Sequence, residues 1–418
     1  MRQSTLFLKT QRHPPKDEAF ANAQLLEQAG FIHKLSAGVY SYLPLGLRVI
    51  NNIANIIRQE MNAMDGQELF MPALHPLENY VKTGRDAIDV LFHLDTAAGK
   101  KMVLGQSHEE IIVPLAQRYI SSYRDLPLSL YQIQVKFRNE LRAKSGILRG
   151  REFTMKDLYS FHRDEEDLVT YYERMKGAYY RIFERVGLGD LTHLTYASGG
   201  TFSKYSHEFQ TVTDAGEDTI HLCPKCGVAV NHEIINDQAV CPECGHKTLE
   251  EKKSIEVGNI FQLKTKFSDA FSLNYQDEQG NPKPVFMGCY GIGLGRVMGT
   301  IAEILHDQNG LVWPKTVTPF QAHLILLSEK GEHKQFAENT YQELHKNNIS
   351  VLFDDRHESS GIKLKDADLI GITVQLIIGE KSGIKIEYRT RQDKSSSLLD
   401  LSNTVTTIKK LYASEYLQ

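Results

Sequence analysis

Four cysteines stand as two Cys-x-x-Cys pairs, Cys223-Pro-Lys-Cys226 and Cys241-Pro-Glu-Cys244, with fourteen residues between the pairs and Gly227 and Gly245 directly after them. That spacing matches two zinc knuckles closing one tetrahedral thiolate site, and a recurrence so close in the chain argues against a redox pair. Four thiolates leave no open coordination position, so the expected role is structural, with His221, His232 and His246 as bystanders. A second group of residues suits a nucleotide. Met287-Gly-Cys-Tyr-Gly291-Ile-Gly293-Leu-Gly295-Arg296 follows a strand-like run and opens a helix. Its glycines admit a ligand against the backbone, and Arg296 can reach a phosphate. Arg138 and Glu140 share the polar face of one strand, and Arg149 and Phe153 share a face of the next. Together they offer guanidinium groups for phosphates beside an aromatic ring for a base. A dinucleotide fold requires an acidic residue at the end of the following strand, where this chain has Gly310-Leu-Val-Trp-Pro314.

The elements that must position these groups can be read from periodicity. From Leu47 to Met64 the apolar residues Ile50, Ile53, Ala54, Ile57, Met61 and Met64 follow helical spacing, with Gly66 as the stop. Leu69 to Pro72 is expected to be a short strand. Over Leu130 to Glu140 strict alternation puts Tyr131, Ile133, Val135 and Phe137 on a core face and Gln132, Gln134, Lys136, Arg138 and Glu140 on a polar one. A loop around Lys144-Ser-Gly146 and a return strand over Arg151 to Tyr159 make this an antiparallel hairpin. It carries seven Lys/Arg against two Glu, which suits an anionic ligand. Residues 165 to 187 read as helix and 221 to 246 as a small Cys/His-rich insert. After Trp313-Pro314 the pattern becomes strand (322 to 327), helix (333 to 346), strand (350 to 353), helix (363 to 370) and strand (373 to 378). A closing helix is expected from Asn403. This is a separate α/β domain with a mostly parallel sheet.

Length and composition limit the alternatives. At 418 residues several domains are expected, and 41% hydrophobic with 24% charged residues is a globular balance. No apolar run reaches membrane length, and Lys9 interrupts the apolar start, so a cytoplasmic protein without membrane contact is expected. A net charge of -4 means that nucleic-acid contact must be local. Residues 317 to 418 hold thirteen basic and fourteen acidic residues, so charge does not identify an RNA-binding domain there.

Phe137-Arg-Asn-Glu140 with Arg149-Gly-Arg-Glu-Phe153, followed by Gly291-Ile-Gly-Leu-Gly-Arg296, resembles motifs 2 and 3 of class II aminoacyl-tRNA synthetases. The helix leading to Met71-Pro72 resembles motif 1. Within that class the wording is similar to bacterial-type prolyl-tRNA synthetases. The matching segments are Leu104-Gly-Gln-Ser-His-Glu-Glu110, Arg151-Glu-Phe-Thr-Met-Lys-Asp-Leu-Tyr-Ser-Phe-His162, Glu256-Val-Gly-Asn-Ile-Phe-Gln262 and Gly288-Cys-Tyr-Gly-Ile-Gly293. The resemblance spans nearly the whole chain.

The resemblance implies an α+β catalytic domain over residues 1–220 and 247–316, built on the class II antiparallel sheet flanked by helices. It also implies a zinc-knuckle insert over 221–246 and a C-terminal α/β anticodon-binding domain over 317–418. It implies that Arg138 holds the α-phosphate of ATP and the proline carboxylate, and that Arg296 and Arg149 grip the outer phosphates. Phe153 then stacks under adenine, Gly293 lies against the nucleotide, and Glu140 and Glu256 contact it or its Mg²⁺. Arg138 and Arg296 are the expected catalytic residues. Ser107 and Glu109 bind the imino group of L-proline, and Met155, Phe261 and Cys289 line the pocket for its ring. Candidate contacts to tRNA(Pro) are Asp354-Asp-Arg356 and the basic residues Lys381, Lys385, Arg389, Arg391 and Lys394. A homodimer through motif 1 is expected. His207 also matches the family, and a structural hydrogen bond is its expected role. Ser107 departs from the usual Thr, keeping the hydroxyl but losing a methyl. Only about fifty residues separate His207 from Glu256, roughly half of them the knuckle insert. The large editing domain of long bacterial members has no room there, so a separate trans-editing factor is expected. Two rival readings are a sister enzyme for threonine or serine and a non-catalytic synthetase-like binding protein. The apolar wall of Met155, Phe261 and Cys289 argues against the first. The joint presence of Arg138, Glu140, Arg149, Phe153 and Arg296 argues against the second.

Overall fold

The computed structural model describes every residue except Leu8, Asp17, Lys144, Lys394 and 414–418. The loop residue Lys144 and the candidate tRNA contact Lys394 therefore lie outside the described residues. The chain forms two compact units. One comprises Met1–Leu35, Tyr40–Asn52 and Ile301–Gln418, the other Ser36–Val39 and Ile53–Thr300.

The first long helix, α1, runs Pro44–Ala63. Proline suits its first turn, where an N–H has no partner in any case. All six apolar residues of the expected face are buried, so that face is used within the chain. Asp65 takes the left-handed conformation at φ 60°, and Gly66 donates to the Met61 carbonyl at 3.0 Å. A Cβ on Gly66 would lie 2.8 Å from that oxygen, which explains the glycine.

Leu69 to Pro72 is not a strand. Only β1, Gln67–Glu68, joins the sheet. Met71 donates its N–H to the Gln132 side chain at 3.0 Å, and Pro72 has none to donate, so the ladder ends. Beyond α2, Glu109–Ala116, come the hairpin strands β2, Leu128–Phe137, and β3, Glu152–His162, in continuous antiparallel register from Leu128↔Phe161 to Phe137↔Glu152. Their polar face behaves differently from the alternation reading. Gln132, Gln134 and Lys136 are buried, whereas Ile133, Val135 and Phe137 are half-buried. The polar side is interior because its groups are matched there: Gln132 donates to Asp157 at 3.0 Å and Gln134 to the Met71 carbonyl at 2.8 Å.

The helix α3, Glu165–Arg185, is capped by the Asp164 side chain. It precedes β4 (Thr192–Ser198), β5 (Tyr205–Val212), β6 (Asp218–Leu222), β7 (Ala229–Asn231), β8 (Glu250–Lys264) and β9 (Phe286–Gly293), and α4 (Leu294–Ile304) follows. With β1 to β3 these strands form one nine-stranded sheet in the order β5-β4-β7-β6-β8-β9-β3-β2-β1. The Cys-rich segment is thus not detached from the catalytic sheet, because β6 pairs with β8 and β7 with β4.

The other unit contains a five-stranded sheet in the order β11-β10-β12-β13-β14. Its elements are β10 (Ala322–Leu326), α5 (Gly331–Lys346), β11 (Val351–Asp354), α6 (Ser360–Ile370), β12 (Val374–Ile378), β13 (Ile386–Thr390), β14 (Ser396–Leu399) and α7 (Leu401–Ala413). The first three strands are parallel, as expected, but β13 and β14 add antiparallel pairings. The link between β12 and β13 is too short for a crossover helix, which forces the reversal. The N-terminal segment belongs to this unit: the Met1 ammonium donates to the Val351 carbonyl at 2.8 Å, and Arg2 pairs with Glu338 and Asp355. Among the described residues no helix is long and apolar enough to cross a membrane.

Candidate active site

The central strands set the site. Register places Phe261 of β8 opposite Cys289 of β9, and Gly293 of β9 opposite Met155 of β3. Phe153 of β3 faces Lys136 of β2. Beyond β2 the chain turns, with Arg138 N bonded to the Arg151 carbonyl at 2.8 Å and Glu140 N to the Arg138 carbonyl at 2.7 Å. A cleft of about 180 Å³ opens over these strands. Every residue singled out for the nucleotide lines it: Arg138, Glu140, Arg149, Phe153, Glu256, Gly293 and Arg296. So do Ser107, Glu109, Met155, Phe261 and Cys289, the set expected around proline. A larger cavity of about 900 Å³ lies in the other unit between the N-terminal segment and α6, and of the residues singled out it holds only Arg356.

The loop before α2 is anchored from both sides. Phe137 donates to the Gly105 carbonyl at 3.0 Å, and His108 N donates to Tyr159 Oη at 2.9 Å. Both His75 Nε2 and His108 Nε2 lie on the Pro72 carbonyl, at 3.0 and 3.1 Å, so both rings carry their proton on Nε2. His108 Nδ1 is then free to accept from Lys136 Nζ at 2.8 Å, while Lys136 also pairs with Asp157 at 2.7 Å. Burial holds the pKa of His75 down at about 4 and that of His108 lower still, so both stay neutral.

The cleft has a cationic end and a mostly apolar end. Arg296 donates to the Leu148 carbonyl, the Glu256 carbonyl and Glu256 Oε2 at 2.9, 2.9 and 3.0 Å. Arg149 sits at the rim, half-exposed, 3.5 Å from Glu217. The Arg138 guanidinium carbon lies 5.2 Å from the Phe153 ring centroid, and its Nε, shut off from solvent, meets no acceptor among the described residues. Burial and the charge of Arg296 lower the pKa of Arg138, with Glu256, Glu140 and Glu109 opposing them. A guanidinium remains charged regardless, so Arg138 is a half-buried cation with an unused, shut-off Nε donor. At the other end Cys289 donates to Glu109 at 3.2 Å, and burial pushes its thiol pKa far up. It is an inert wall.

Residues without a recognisable pattern line the cleft or support its walls. Arg85, buried, reaches Ser107, Glu109 and Glu110. Phe202 stacks on Phe261 with centroids 4.7 Å apart. Asn259 bridges Glu256 and Glu208. The adjacent charges Lys156 and Asp157 in the middle of β3 are the sequence signal for Asp157. His207 lies 2.8 Å from Tyr172 Oη, in the structural role expected of it.

The four cysteine sulfurs converge, all within 4.8 Å of one another, with Cys223 3.6 Å from Cys244 and Cys226 3.4 Å from Cys241. A zinc tetrahedron with bonds of about 2.3 Å has edges of about 3.8 Å, so this donor set fits the metal. Gly227 and Gly245 follow the pairs at φ 76° and 69°, the left-handed turn a knuckle needs. In the other unit Arg391 is buried and forked onto Asp307 at 2.6 and 2.9 Å, and Arg389 is held by Gln375 and Asp368. Asp354, buried, is matched to Arg356. Buried Arg391 is a structural anchor, unlike the surface contact that the basic run suggested.

Residues 92–305 match the tRNA synthetase class II core domain (G, H, P, S and T), and 321–411 match an anticodon binding domain. The proline–tRNA ligase of Dehalococcoides mccartyi strain CBDB1 is 33% identical over 568 aligned positions, covering 99% of this chain and 100% of that protein. That alignment has 150 more positions than this chain has residues, which fits the absence of a large inserted domain. The proline–tRNA ligase of Sulfurimonas denitrificans is 35% identical over 434 positions, covering 98% and 100%. In fold the chain is similar to prolyl-tRNA synthetase from Cryptosporidium parvum complexed with halofuginone and AMPPNP. The TM-score there is 0.75 at 18% identity, over 94% of this chain and 77% of that one. With a class II core around the cleft and 30 to 35% identity over almost their whole length to such enzymes, the chain belongs to the proline–tRNA ligase family.

Proposed function

We propose that the cleft joins L-proline to ATP and then passes the prolyl group to the 3′ end of tRNA(Pro), with the residue roles that follow. The observation that carries the assignment is Arg138, a half-buried guanidinium in the cleft whose shut-off Nε is unsatisfied among the described residues. Leaving such a donor unpaired costs about 1–3 kcal/mol, which an incoming oxyanion recovers. Arg138 therefore holds both the proline carboxylate and the α-phosphate, cancelling the repulsion between them and the charge that builds at phosphorus. A carboxylate oxygen attacks the α-phosphorus, the bond to the bridging oxygen breaks, and pyrophosphate leaves with its electron pair. Arg296 and Arg149 receive that charge. Phe153 stacks under adenine, and Gly293 lets the nucleotide lie against the backbone. The terminal ribose hydroxyl of the tRNA then attacks the prolyl carbonyl and AMP leaves, so the protein forms no covalent intermediate.

Glu109 and Ser107 take the two protons of the secondary ammonium, and Met155, Phe261 and Cys289 exclude larger or polar side chains. Glu140 and Glu256 supply carboxylates for Mg²⁺, which when bound neutralises phosphate charge. Cys223, Cys226, Cys241 and Cys244 hold a structural zinc. Residues 1–220 and 247–316 are assigned the chemistry, 221–246 the zinc, and 317–418 the anticodon end of tRNA(Pro). A homodimer in the cytoplasm and a separate trans-editing factor complete the proposal. The deciding experiment is ATP–pyrophosphate exchange with each of the twenty amino acids. Exchange led by proline is the expected result; exchange led by threonine or serine overturns the pocket, and none with any amino acid overturns catalysis.

A further inference from the structure

Arg85 follows the short helix Leu77–Thr83 and its left-handed cap Gly84, and its own N–H closes on the Tyr80 carbonyl at 2.9 Å. The side chain is only 3% exposed and does not line the cleft. Its two terminal nitrogens reach three side chains: Nη1 lies 3.3 Å from Glu109 Oε2 and 2.9 Å from Glu110 Oε1, and Nη2 lies 3.1 Å from Ser107 Oγ. The carbon of the same guanidinium lies over two rings, 4.5 Å from the centroid of Phe202 and 5.4 Å from that of Phe267. Phe202 in turn packs against Phe261.

We propose that Arg85 is the positioning residue of the amino-acid pocket, fixing its polar and apolar walls to one rigid plane. The inference rests on the assignment of Ser107 and Glu109 to the imino group and of Phe261 to the ring. Along the edge of the plane, Arg85 draws one oxygen of Glu109 away and leaves Oε1, which among the described residues accepts only from Cys289, facing the cleft. It also orients the Ser107 hydroxyl by donating to one lone pair of its oxygen, which leaves the second lone pair to accept from the imino ammonium. Across the face of the plane, it seats Phe202 and through it Phe261. Lysine cannot substitute, because a point charge on a flexible stem provides neither the fork nor the stacking face.

The test compares Arg85→Lys, Arg85→Met and Glu110→Gln in the full chain by pyrophosphate exchange, varying proline and ATP separately. The proposal expects the KM for proline to rise by about tenfold or more in both Arg85 variants while the KM for ATP stays within about twofold. Discrimination against alanine should fall as well, because the ring wall loosens. Glu110→Gln, which touches Arg85 but not the cleft, should raise the KM for proline severalfold, and it keeps the test alive if an Arg85 variant does not fold. Parallel rises in both KM values, or a lowered melting temperature with both KM values unchanged, reduce Arg85 to a packing role and overturn the proposal. Glu109→Gln separates the two levels. If it raises the KM for proline and the Arg85 variants do not, only the Arg85 inference falls; if it leaves that KM unchanged, the pocket assignment beneath it falls.

Discussion

The guanidinium carbon of Arg138 lies 5.2 Å from the centroid of the Phe153 ring. The contact joins the two hairpin strands at their loop end, just past the Lys136↔Phe153 pair. A base stacked on Phe153 thereby brings its α-phosphate within reach of Arg138, so adenine binding and charge stabilisation share one geometry. Arg138→Lys keeps the charge but loses the plane. Pyrophosphate exchange should fall on the order of 100-fold, about 3 kcal/mol of transition-state stabilisation. A variant with wild-type exchange removes Arg138 from the reaction.

Arg296 is held in place before any nucleotide arrives, by three acceptors on Leu148 and Glu256. Glu256→Gln weakens the charged contact but keeps a hydrogen bond. We expect the KM for ATP to rise several-fold in Glu256→Gln and by about tenfold or more in Arg296→Lys, with the KM for proline little changed. Separate titrations of the two substrates check it.

The cysteine site should contain one zinc per chain, measurable by metal analysis of the purified protein. Cys244→Ser or prolonged chelation should remove it and lower the melting temperature by several degrees, because metal binding free energy is folding free energy in such sites. Since β6 and β7 lie within the large sheet, exchange activity should drop along with stability. Full thermal stability without metal contradicts this.

His207 is neutral in the fold, its pKa lowered to about 3 by burial with Lys176 adding to it. Its unfolded value lies near 6.5, so above that pH it has no effect on stability. Below it the unfolded chain takes up a proton that the folded chain refuses, and stability falls. At pH 5.5 the loss is about 1.4 kcal/mol from this group, and the melting temperature should drop between pH 7 and 5.5. His207→Phe should show a smaller drop. An equal drop in both proteins assigns the acid sensitivity to other groups, such as His75 and His108.

Purified protein should not rapidly deacylate Ala-tRNA(Pro). The chain between β5 and β8 is occupied by the cysteine segment and its two strands, a length too short for a large editing domain. Rapid release of alanine by the pure protein contradicts the prediction.

Much of the site was legible because its chemistry is local in the chain. The two cysteine pairs, Arg138 with Glu140, Arg149 with Phe153, and the glycines before Arg296 each combine residue types that only a ligand would require at that spacing. Helical periodicity likewise marked the buried face of α1 correctly. Period-2 alternation found the strand β2 but assigned its interior wrongly, because alternation reports polarity and not which side is covered. Gln132, Gln134 and Lys136 are interior only because Asp157, Met71 and His108 arrive from other segments to satisfy them. The same reason hid Arg85, a lone arginine in sequence whose partners on residues 107 to 110 and at 202 are brought to it by folding. It also misplaced Arg391, whose charge reads as a surface contact until Asp307 closes over it. Sequence by itself determined which groups gather at the cleft, since residue type and short spacing carry that. Only the tertiary structure decided which charges are spent inside the protein and which remain for a substrate, because pairing depends on residues distant in the chain.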